Sequence, residues 1–482
     1  MLLYAPTLGR PPIWDDHTFV FGQPFLNDCD NLRQVVSLDS FRGVLGVRGS
    51  ARPVWLTSVL ADSCLGGGRV SVYRVTSALW HALGALALTL LAWSLSKDEL
   101  TALMAGALFA VHPLHVEAVS IITFRPDLLC LAFMLTCVLL HRESRLRSGW
   151  RAAAFHTVSL IAAAFALLSK EVAVVLPLLL LLSDALFPTG ARGPKRVRGL
   201  WAGAARCAAL VALYLVYRAP RSGYVMRSSR DMFSELHQKT ELPFSRAIKG
   251  PVDHVAAEPL EDRQWQQVYS DPGARARTMS RIFGSYLRRL AWPWPLQGDY
   301  APKVVSSWLS PGVLSAWAAW LLLLLAAWRL RERMPLASYG IVWTGVALLP
   351  VSGVVAILNL EADRYLYIPS AGACLAAAAY LRGAMRRGAA WSRAAMAVFI
   401  LALCAGSFLT VKRLADFSGD EAFHRATLAV DPDVPRARLS LAMICADEGR
   451  DECAVSECRE ALRLWPGYPK AKLFCSDVLR ER

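Results

Sequence analysis

The sequence predicts an all-α, polytopic membrane protein with a short helical tail. Hydrophobic residues make up 55% of the 482 residues and charged residues only 19%, a composition typical of multi-pass membrane proteins. The apolar residues are gathered in runs of about 17 to 25 residues, the length that crosses a bilayer. Residues 412–482 lack such runs and carry more charge. We therefore predict a membrane domain over 1–411, with about 10 to 11 spans, and a helical tail over 412–482.

Ten apolar segments account for the predicted spans within this sequence. They are 75–95, 100–119, 122–140, 152–168, 172–187, 200–217, 309–328, 337–358, 365–381 and 394–410.

Four arginine-rich turns between these segments set the predicted orientation. The turns are 141–151, 188–199, 329–333 and 382–393. Basic turns face the cytoplasm, and all four do so if residue 75 starts outside. The loops 10–74 and 218–308 and the tail then lie outside the cytoplasm.

The start of the sequence does not supply the helix that this orientation implies. Residues 1–9 are apolar but too short to cross about 30 Å of hydrocarbon, and they lack the basic region of a signal peptide. We expect a further helix upstream. The alternative is that the first downstream helix alone translocates the loop.

The loop 218–308 and the tail each contain a recognisable pattern. In 280–295 arginines alternate with aromatic residues, which favours a helix at the membrane interface with Trp292 and Trp294 at headgroup depth. In the tail, similar residues recur 34 positions apart, the tetratricopeptide period; a generic helical hairpin is the alternative. The recurring pairs are Pro432 and Pro466, Leu428 and Leu462, Ala437 and Ala471, and Leu439 and Leu473.

The net charge of +15 does not indicate nucleic-acid binding, because the arginines lie beside apolar spans and form no basic face. The eleven cysteines do not read as one disulfide framework. Some pairing is expected outside the cytoplasm, but the spacing leaves its connectivity open. The candidates are Cys29 and Cys64 in the first loop and Cys445, Cys453, Cys458 and Cys475 in the tail; Cys130, Cys137, Cys207, Cys374 and Cys404 lie in apolar spans.

All of the polar clusters that could take part in catalysis or binding lie on the predicted outer side. Asp15 and Asp16 follow Trp14, and a diacid beside a bilayer is a functional hypothesis because unpaired charge there is costly. The alternative is a helix cap or simple contact with water.

His112, His115 and Glu117 surround Pro113 at the outer end of a predicted helix, where the residue before proline is pushed out of the helical region. We predict that they orient a substrate by hydrogen bonds. A metal site is not predicted, because their spacing differs from that of a zinc-binding helix.

Two further clusters pair cations with acids. Arg125 precedes Asp127, and Lys170 precedes Glu171. Arg125 and Lys170 are candidate phosphate ligands, with Asp127 and Glu171 orienting the substrate. The alternatives are a structural ion pair for Arg125 and a tight turn for Lys170.

The last cluster combines Glu361, Asp363, Arg364 and Tyr365 at a helix entrance. Arg364 is a third candidate phosphate ligand, and the other three are predicted to orient the substrate. An interfacial anchor is the alternative.

These motifs occur in an order that resembles a known family. The ordered pieces are Trp14-Asp15-Asp16, Ala51-Arg52-Pro53, Tyr73-Arg74 to His81-Ala82, His112 to Glu117, Arg125-Pro126-Asp127, Ser169-Lys170-Glu171, Leu290 to Pro293, Asp299-Tyr300 and Asp363 to Gly372. The series resembles the transmembrane, tetratricopeptide-containing O-mannosyltransferases of the endoplasmic reticulum and their bacterial relatives, which have the GT-C glycosyltransferase fold. The resemblance covers nearly the whole chain, although its repeat array is much shorter.

The resemblance implies transfer of a mannose-like sugar from a polyprenyl phosphate, dolichyl or undecaprenyl, to an acceptor outside the cytoplasm, with no other cofactor expected. Asp15 and Asp16 occupy the position of the catalytic base. The acceptor is a protein hydroxyl or a cell-envelope glycan held by the tail repeats. The short repeat array leaves protein mannosylation itself open.

Elementary chemistry agrees with this reading. Displacing a lipid phosphate from an anomeric carbon requires a base for the acceptor hydroxyl and cations for the departing phosphate. One base on the attacking face inverts the anomeric centre. The alternatives are a membrane-anchored scaffold without catalysis and a transporter. The arginine-rich, lysine-poor composition favours a bacterial inner membrane over the endoplasmic reticulum.

Overall fold

The predicted all-α fold class is confirmed in the part of the chain that the structure describes. The computed structural model describes residues 2–35, 37, 52–189, 194–218, 268, 271–355, 357 and 359–480, and these form helices and no β-strand. Most of the predicted loop 218–308 up to residue 270, residues 38–51 of the first loop and part of the turn 188–199 lie outside the described residues. The first half of the described chain contains α1 (Asn31–Val35), α2 (Pro53–Gly66), α3 (Val70–Ser96), α4 (Glu99–Ala110), α5 (His115–Ser120), α6 (Arg125–Arg145), α7 (Gly149–Ser169), α8 (Leu176–Leu186) and α9 (Pro194–Arg218).

The second half contains the remaining long helices and the tail. They are α10 (Pro272–Ala291), α11 (Pro311–Leu330), α12 (Pro335–Leu348), α13 (Tyr367–Met385), α14 (Ala389–Asp416), α15 (Asp420–Val430), α16 (Pro435–Asp447), α17 (Asp451–Leu464) and α18 (Pro469–Arg480).

Five described helices are long and apolar enough to cross a membrane: α3, α6 with the turn before it, α7, α11 and α14. Each of the ten predicted apolar segments overlaps a helix. The chain is therefore a multi-pass membrane protein, while the number of its spans and the side that each end faces stay predictions.

The helices separate the arginine turns from the acidic clusters. α6 and α7 form an antiparallel pair, with an arginine turn at one end and a bond between Asp127 and Lys170 at the other. At the arginine end, Asp98 accepts bonds from Arg382 and Arg386, each at 3.0 Å. The candidate residues thus gather at the opposite end of the bundle.

Two glycines let α12 and α13 cross closely. A Cβ atom on Gly340 would lie 2.3 Å from the carbonyl oxygen of Gly372, and one on Gly372 would lie 2.5 Å from that of Gly340. Small residues at such crossings allow backbones to touch. This contact fixes the start of α13, where the cluster around Arg364 lies.

Three local features differ from or refine the prediction. The first loop contains a helix, α2, that starts with Pro53 and ends at Gly67 in the left-handed conformation, a common helix terminus. The predicted segment 100–119 breaks between α4 and α5, around Pro113. The predicted interfacial segment is helical, since α10 buries Met279, Ile282 and Tyr286; its depth in a membrane stays a prediction.

The tail is a series of antiparallel helices. α16 starts at Pro435 and α18 at Pro469, so these starts keep the 34-residue spacing of the sequence pattern. Its assignment as a tetratricopeptide unit stays a prediction. α14 runs through the predicted boundary at 411/412 and ends at Asp416, so the tail follows the membrane part after a three-residue turn at 417–419.

Candidate active site

The two neighbouring carboxylates of the first loop have different environments. Asp16 is fully buried, and its Oδ1 accepts bonds from the amide and the hydroxyl of Thr123 at 2.8 and 2.9 Å. Burial raises the pKa of Asp16, while the Arg74 charge and the bonds from Thr123 oppose that rise. Asp16 therefore fastens the first loop to the turn that precedes α6.

The Asp15 carboxylate lacks such bonds. Asp15 is half-buried, and among the described residues no hydrogen-bond donor or ion-pair partner reaches its carboxylate. Burial raises the pKa of Asp15 from 3.8 to about 6, against the lowering effect of the Arg364 charge. A carboxylate with unused oxygens and a pKa near neutrality has the properties of a general base.

Arg364 lies close enough to Asp15 for its charge to lower the pKa of that carboxyl, and it is bonded directly to Glu117. Its backbone amide donates to Glu117 Oε2 at 2.7 Å and its guanidinium to Oε1 at 2.5 Å. The guanidinium also lies 4.1 Å from the ring of Phe124 and 5.1 Å from that of Tyr365. The structure thus brings together four predicted residues: Asp15, Glu117, Arg364 and Tyr365.

Beyond Tyr365 lies a second group of cations. Lys170 Nζ lies 5.8 Å from the Tyr365 ring and donates to both oxygens of Asp127 at 2.6 Å. Next to it, Glu171 pairs with Arg52 and Arg218. Three cations therefore face two carboxylates, and the Arg52 side chain is 35% exposed. We call Arg52, Asp127, Lys170, Glu171 and Arg218 the basic cluster.

Arg125, unlike Arg52, is closed off from solvent. It is fully buried, its Nη1 lies 2.6 Å from Asp62, and its other nitrogens donate to Ser77 and to the Tyr73 carbonyl. This is the structural ion pair that the sequence left as the alternative. Its partner is Asp62 of α2, whereas the neighbouring Asp127 pairs with Lys170.

The two predicted histidines make internal contacts. His112 Nε2 lies 3.3 Å from the Leu290 carbonyl and His115 Nε2 lies 2.8 Å from the Ser370 hydroxyl. Within the described ranges, no three His, Cys, Asp or Glu side chains come together as a metal site. A substrate-orienting role of these histidines stays a prediction, and the bonds seen here join helices to one another.

The remaining predicted acids, Glu361 and Asp363, surround Arg289. Its Nη1 donates to Asp363 Oδ1 at 2.8 Å, and its Nη2 donates to Glu361. Asp363 also accepts from the Tyr300 hydroxyl at 2.6 Å and from Arg413 at 3.3 Å. These acids therefore tie α10 and α14 to the start of α13.

The tail supplies residues that sequence reasoning did not place at the site. Arg436 of α16 pairs with Asp299, and both charges act on Asp15, Arg436 lowering and Asp299 raising its pKa. Asp420 of α15 accepts a bond from the Trp14 amide at 2.7 Å. The available signal for Asp299 was its position in the ordered motif series; Arg436 and Asp420 lie in no motif of that series.

A cavity of about 260 Å³ lies beside Tyr300 and Glu361. Its walls come from α10, from the segment before α11, and from the tail. Gln297, which is 6% exposed, is one of the lining residues, and its buried side-chain oxygen has no hydrogen-bond partner in the described part of the chain. The principal polar lining residues are Arg281, Ser285, Gln297, Tyr300, Glu361 and Asp431.

No protein-family model matches the chain. Two Drosophila melanogaster proteins, the protein O-mannosyl-transferases Tmtc1 and Tmtc2, are each 30% identical to it, over 199 and 195 residues. The predicted resemblance is confirmed. The matches cover 41% and 38% of this chain and only 23% and 20% of those relatives. The mouse protein O-mannosyl-transferase TMTC1 is 23% identical over 98% of this chain and 58% of its own length.

Among solved structures, ArnT from Cupriavidus metallidurans is similar at low identity. Its apo form aligns with 15% identity and a TM-score of 0.39, covering 99% of this chain and 75% of that one. Its undecaprenyl phosphate complex aligns with 14% identity and a TM-score of 0.41, covering 99% and 76%. The GT-C assignment of this chain stays a prediction.

Proposed function

We propose that this protein is an inverting, integral-membrane glycosyltransferase that moves a mannose-like sugar from a polyprenyl phosphate to an acceptor hydroxyl outside the cytoplasm. The O-mannosyl-transferase relatives support the reaction class. The observation that carries the proposal is the Asp15 carboxylate, which is half-buried, unpaired among the described side chains and raised in pKa to about 6.

Asp15 takes the proton of the acceptor hydroxyl as its oxygen attacks the anomeric carbon. The bond from that carbon to the phosphate oxygen breaks, and polyprenyl phosphate leaves with the bonding electrons. Attack from the face opposite the phosphate inverts the centre. Asp16 has a different role, because its side chain is fully buried. Thr123 engages its Oδ1, and its Oδ2, which has no partner among the described residues, is closed off from an acceptor hydroxyl.

The donor phosphate is best accommodated between Arg364 and the basic cluster. The Tyr365 ring lies 5.1 Å from the Arg364 guanidinium and 5.8 Å from Lys170 Nζ, so Tyr365 is next to both Arg364 and the basic cluster. The exposure of Arg52 suits an arriving phosphate, since cations stabilise the charge on a leaving phosphate. Arg125 is assigned a structural role.

Two observations support the acceptor side of the proposal. The cavity combines Asp431 of the tail with Tyr300 and Gln297, so a hydroxyl-bearing chain would contact both parts of the protein there. The disulfides Cys29–Cys64, Cys445–Cys453 and Cys458–Cys475 lie in the first loop and the tail. Disulfides persist in oxidising compartments, which favours an extracytoplasmic location for both.

The test uses the full chain in proteoliposomes with radiolabelled mannosyl undecaprenyl phosphate or dolichyl-phosphate mannose, and with membranes of the source cells as acceptor. Asp15→Asn should lower label transfer by roughly 100-fold or more, the usual loss for a general base. Asp30→Asn, an exposed carboxylate of the same loop, should leave transfer unchanged.

Equal activity of the wild type and Asp15→Asn would remove Asp15 as the base. Absence of transfer by the wild type from both donors would overturn the proposed reaction. Separating the label into protein-bound and glycan-bound fractions identifies the acceptor class.

A further inference from the structure

We propose that Asp420, at the start of the tail, is a positioning residue that holds the turn carrying Asp15. Its Oδ1 accepts a hydrogen bond from the Trp14 amide at 2.7 Å, and its Oδ2 lies 2.8 Å from His17 Nε2. One carboxylate thus binds Trp14 and His17, the residues on either side of Asp15 and Asp16. This inference rests on the proposed function, because it concerns the placement of the proposed base.

The backbone of Trp14 has a conformation that needs stabilising contacts. Its φ is +52°, in the left-handed region that is unfavourable for a residue with a side chain. Contacts must offset that cost. The bond to Asp420 satisfies the Trp14 amide, and the indole ring packs between Phe124 and Phe423, with ring centroids 6.0 and 5.1 Å apart.

The same turn sends its two carboxylates in different directions. Asp16 points inward and accepts from Thr123, while Asp15 stays half-buried under the influence of Arg364 and Arg436. If Trp14 relaxed to an ordinary negative φ, the chain direction at Asp15 would change and the carboxylate would move away from Arg364. Asp420 therefore acts on the base through the Trp14 backbone.

The environment of Asp420 favours the ionised form of its carboxylate. Asp420 is 21% exposed and His17 31%, so the pair is partly shielded from solvent. Burial alone would raise the pKa of Asp420, but the bonds from His17 and the Trp14 amide outweigh it and lower that pKa. The carboxylate is thus ionised and able to accept both bonds at neutral pH.

The surrounding tail contacts keep Asp420 in place. The Phe423 ring packs over Gly298, where an added Cβ atom would lie 2.3 Å from it. Thr427 accepts a bond from the Gly298 amide at 3.3 Å. α15 is thereby pressed against the segment that also carries Asp299.

The experiment compares Asp420→Ala, Asp420→Asn and the matched control Asp433→Ala in the purified full chain. Asp433 is also a tail carboxylate that bridges to the membrane part, at 3.4 Å from Lys303, but it is 48% exposed. Three quantities are measured: amide hydrogen exchange in peptides covering 12–22, and the kcat and the KM for the polyprenyl-phosphate mannose donor.

Asp420→Ala should speed exchange in 12–22 and lower kcat on the order of 10- to 100-fold, the usual effect of a displaced catalytic group. The donor KM should stay within about twofold, because the basic cluster is untouched. Asp420→Asn keeps an acceptor for the Trp14 amide and should lie between the wild type and Asp420→Ala. Asp433→Ala should match the wild type, and unchanged exchange in α16 to α18 shows that the variants are folded.

The outcomes separate the two proposals. Unchanged exchange in 12–22 of Asp420→Ala, or faster exchange with an unchanged kcat, refutes the positioning role while leaving the glycosyltransferase proposal standing. A wild type without transfer activity refutes the proposed function, and the positioning role then falls with it even where exchange responds to Asp420→Ala.

Discussion

Replacing Asp15 by Asn should make the folded protein more stable at neutral pH while it removes activity. The pKa of Asp15 is about 6 in the folded protein and 3.8 ordinarily. That interval corresponds to about 3 kcal/mol of unfavourable free energy for the ionised carboxylate, at 1.36 kcal/mol for each pKa unit. Since Asp15 keeps some contact with solvent, screening reduces the expected gain to about 1 to 3 kcal/mol.

The stability gained by Asp15→Asn should increase as the pH rises. Well below pH 3.8 the carboxyl group of Asp15 is protonated in both the folded and the unfolded chain, so it contributes no more pH dependence than the uncharged amide of the variant. As the pH rises from 3.8 to about 6, the unfolded chain releases this proton first, and the wild type loses stability relative to the variant. Above about pH 6 the difference reaches its full size.

The assay is unfolding of the detergent-solubilised protein, followed by fluorescence of its 16 tryptophans, at two pH values on either side of this window. Asp15→Asn should unfold later than the wild type at pH 7.5, and the two should converge at about pH 3, where Asp15 is protonated in both the folded and the unfolded chain. Asp30→Asn, on the exposed part of the loop, should behave as the wild type at both. A less stable Asp15→Asn at pH 7.5 would show that Asp15 is a structural carboxylate, and the argument for a strained base would fail.

Three further outcomes are expected. Transfer activity should fall on the acid side with a midpoint near pH 6, the pKa of Asp15. Asp299→Asn should move that midpoint to lower pH, because it removes a negative charge that raises this pKa. A pH profile unaltered by the substitution would contradict the placement of Asp299 near Asp15. Gly340→Ala should lower stability by about 1 to 3 kcal/mol, since its Cβ would lie 2.3 Å from the Gly372 carbonyl oxygen, whereas Gly9→Ala, with open space around it, should be neutral in the same unfolding assay. Peptide mapping without reduction should find three linked pairs, and a different connectivity or free thiols at these positions would count against the packing of the loop and tail. The pairs are Cys29–Cys64, Cys445–Cys453 and Cys458–Cys475.

The sequence predicted helices where apolar length and local chemistry decide the structure. The runs that became α3, α6, α7, α11 and α14 are long enough to be recognised by composition. The helix break at Pro113 followed from the restricted backbone before proline. The helix α2 was missed because its apolar stretch is too short for a span and lies inside a predicted loop.

Side-chain partners were beyond the reach of the sequence. Arg125 and Asp127 are two residues apart, yet Arg125 pairs with Asp62 and Asp127 with Lys170. On a helix, residues two apart point in different directions, so their partners come from whichever helices pack on each side. Spacing singled out candidate residues but could not assign which cations are buried, as Arg125 is, and which keep some exposure, as Arg52 does.

The same limit explains why Asp15 and Asp16 were treated as equivalent. Adjacent in sequence, they are separated by their contacts: Thr123 engages Asp16, and no described donor engages Asp15. The contact that sets this difference comes from Asp420, at the far end of the chain. A signal for that contact would be correlated variation between the first loop and the tail.

The contact between Asp420 and Trp14 also changes what a tail deletion can show. A scaffold that uses only its tail and an enzyme whose base is held by its tail both lose function when residues 415–482 are removed. They differ at single residues: a scaffold tolerates Asp15→Asn, whereas the enzyme does not. Because the tail also supplies Arg436 to the charge balance of Asp15, the proposed catalytic unit extends past α14, and the proposed activity has to be measured on the full chain.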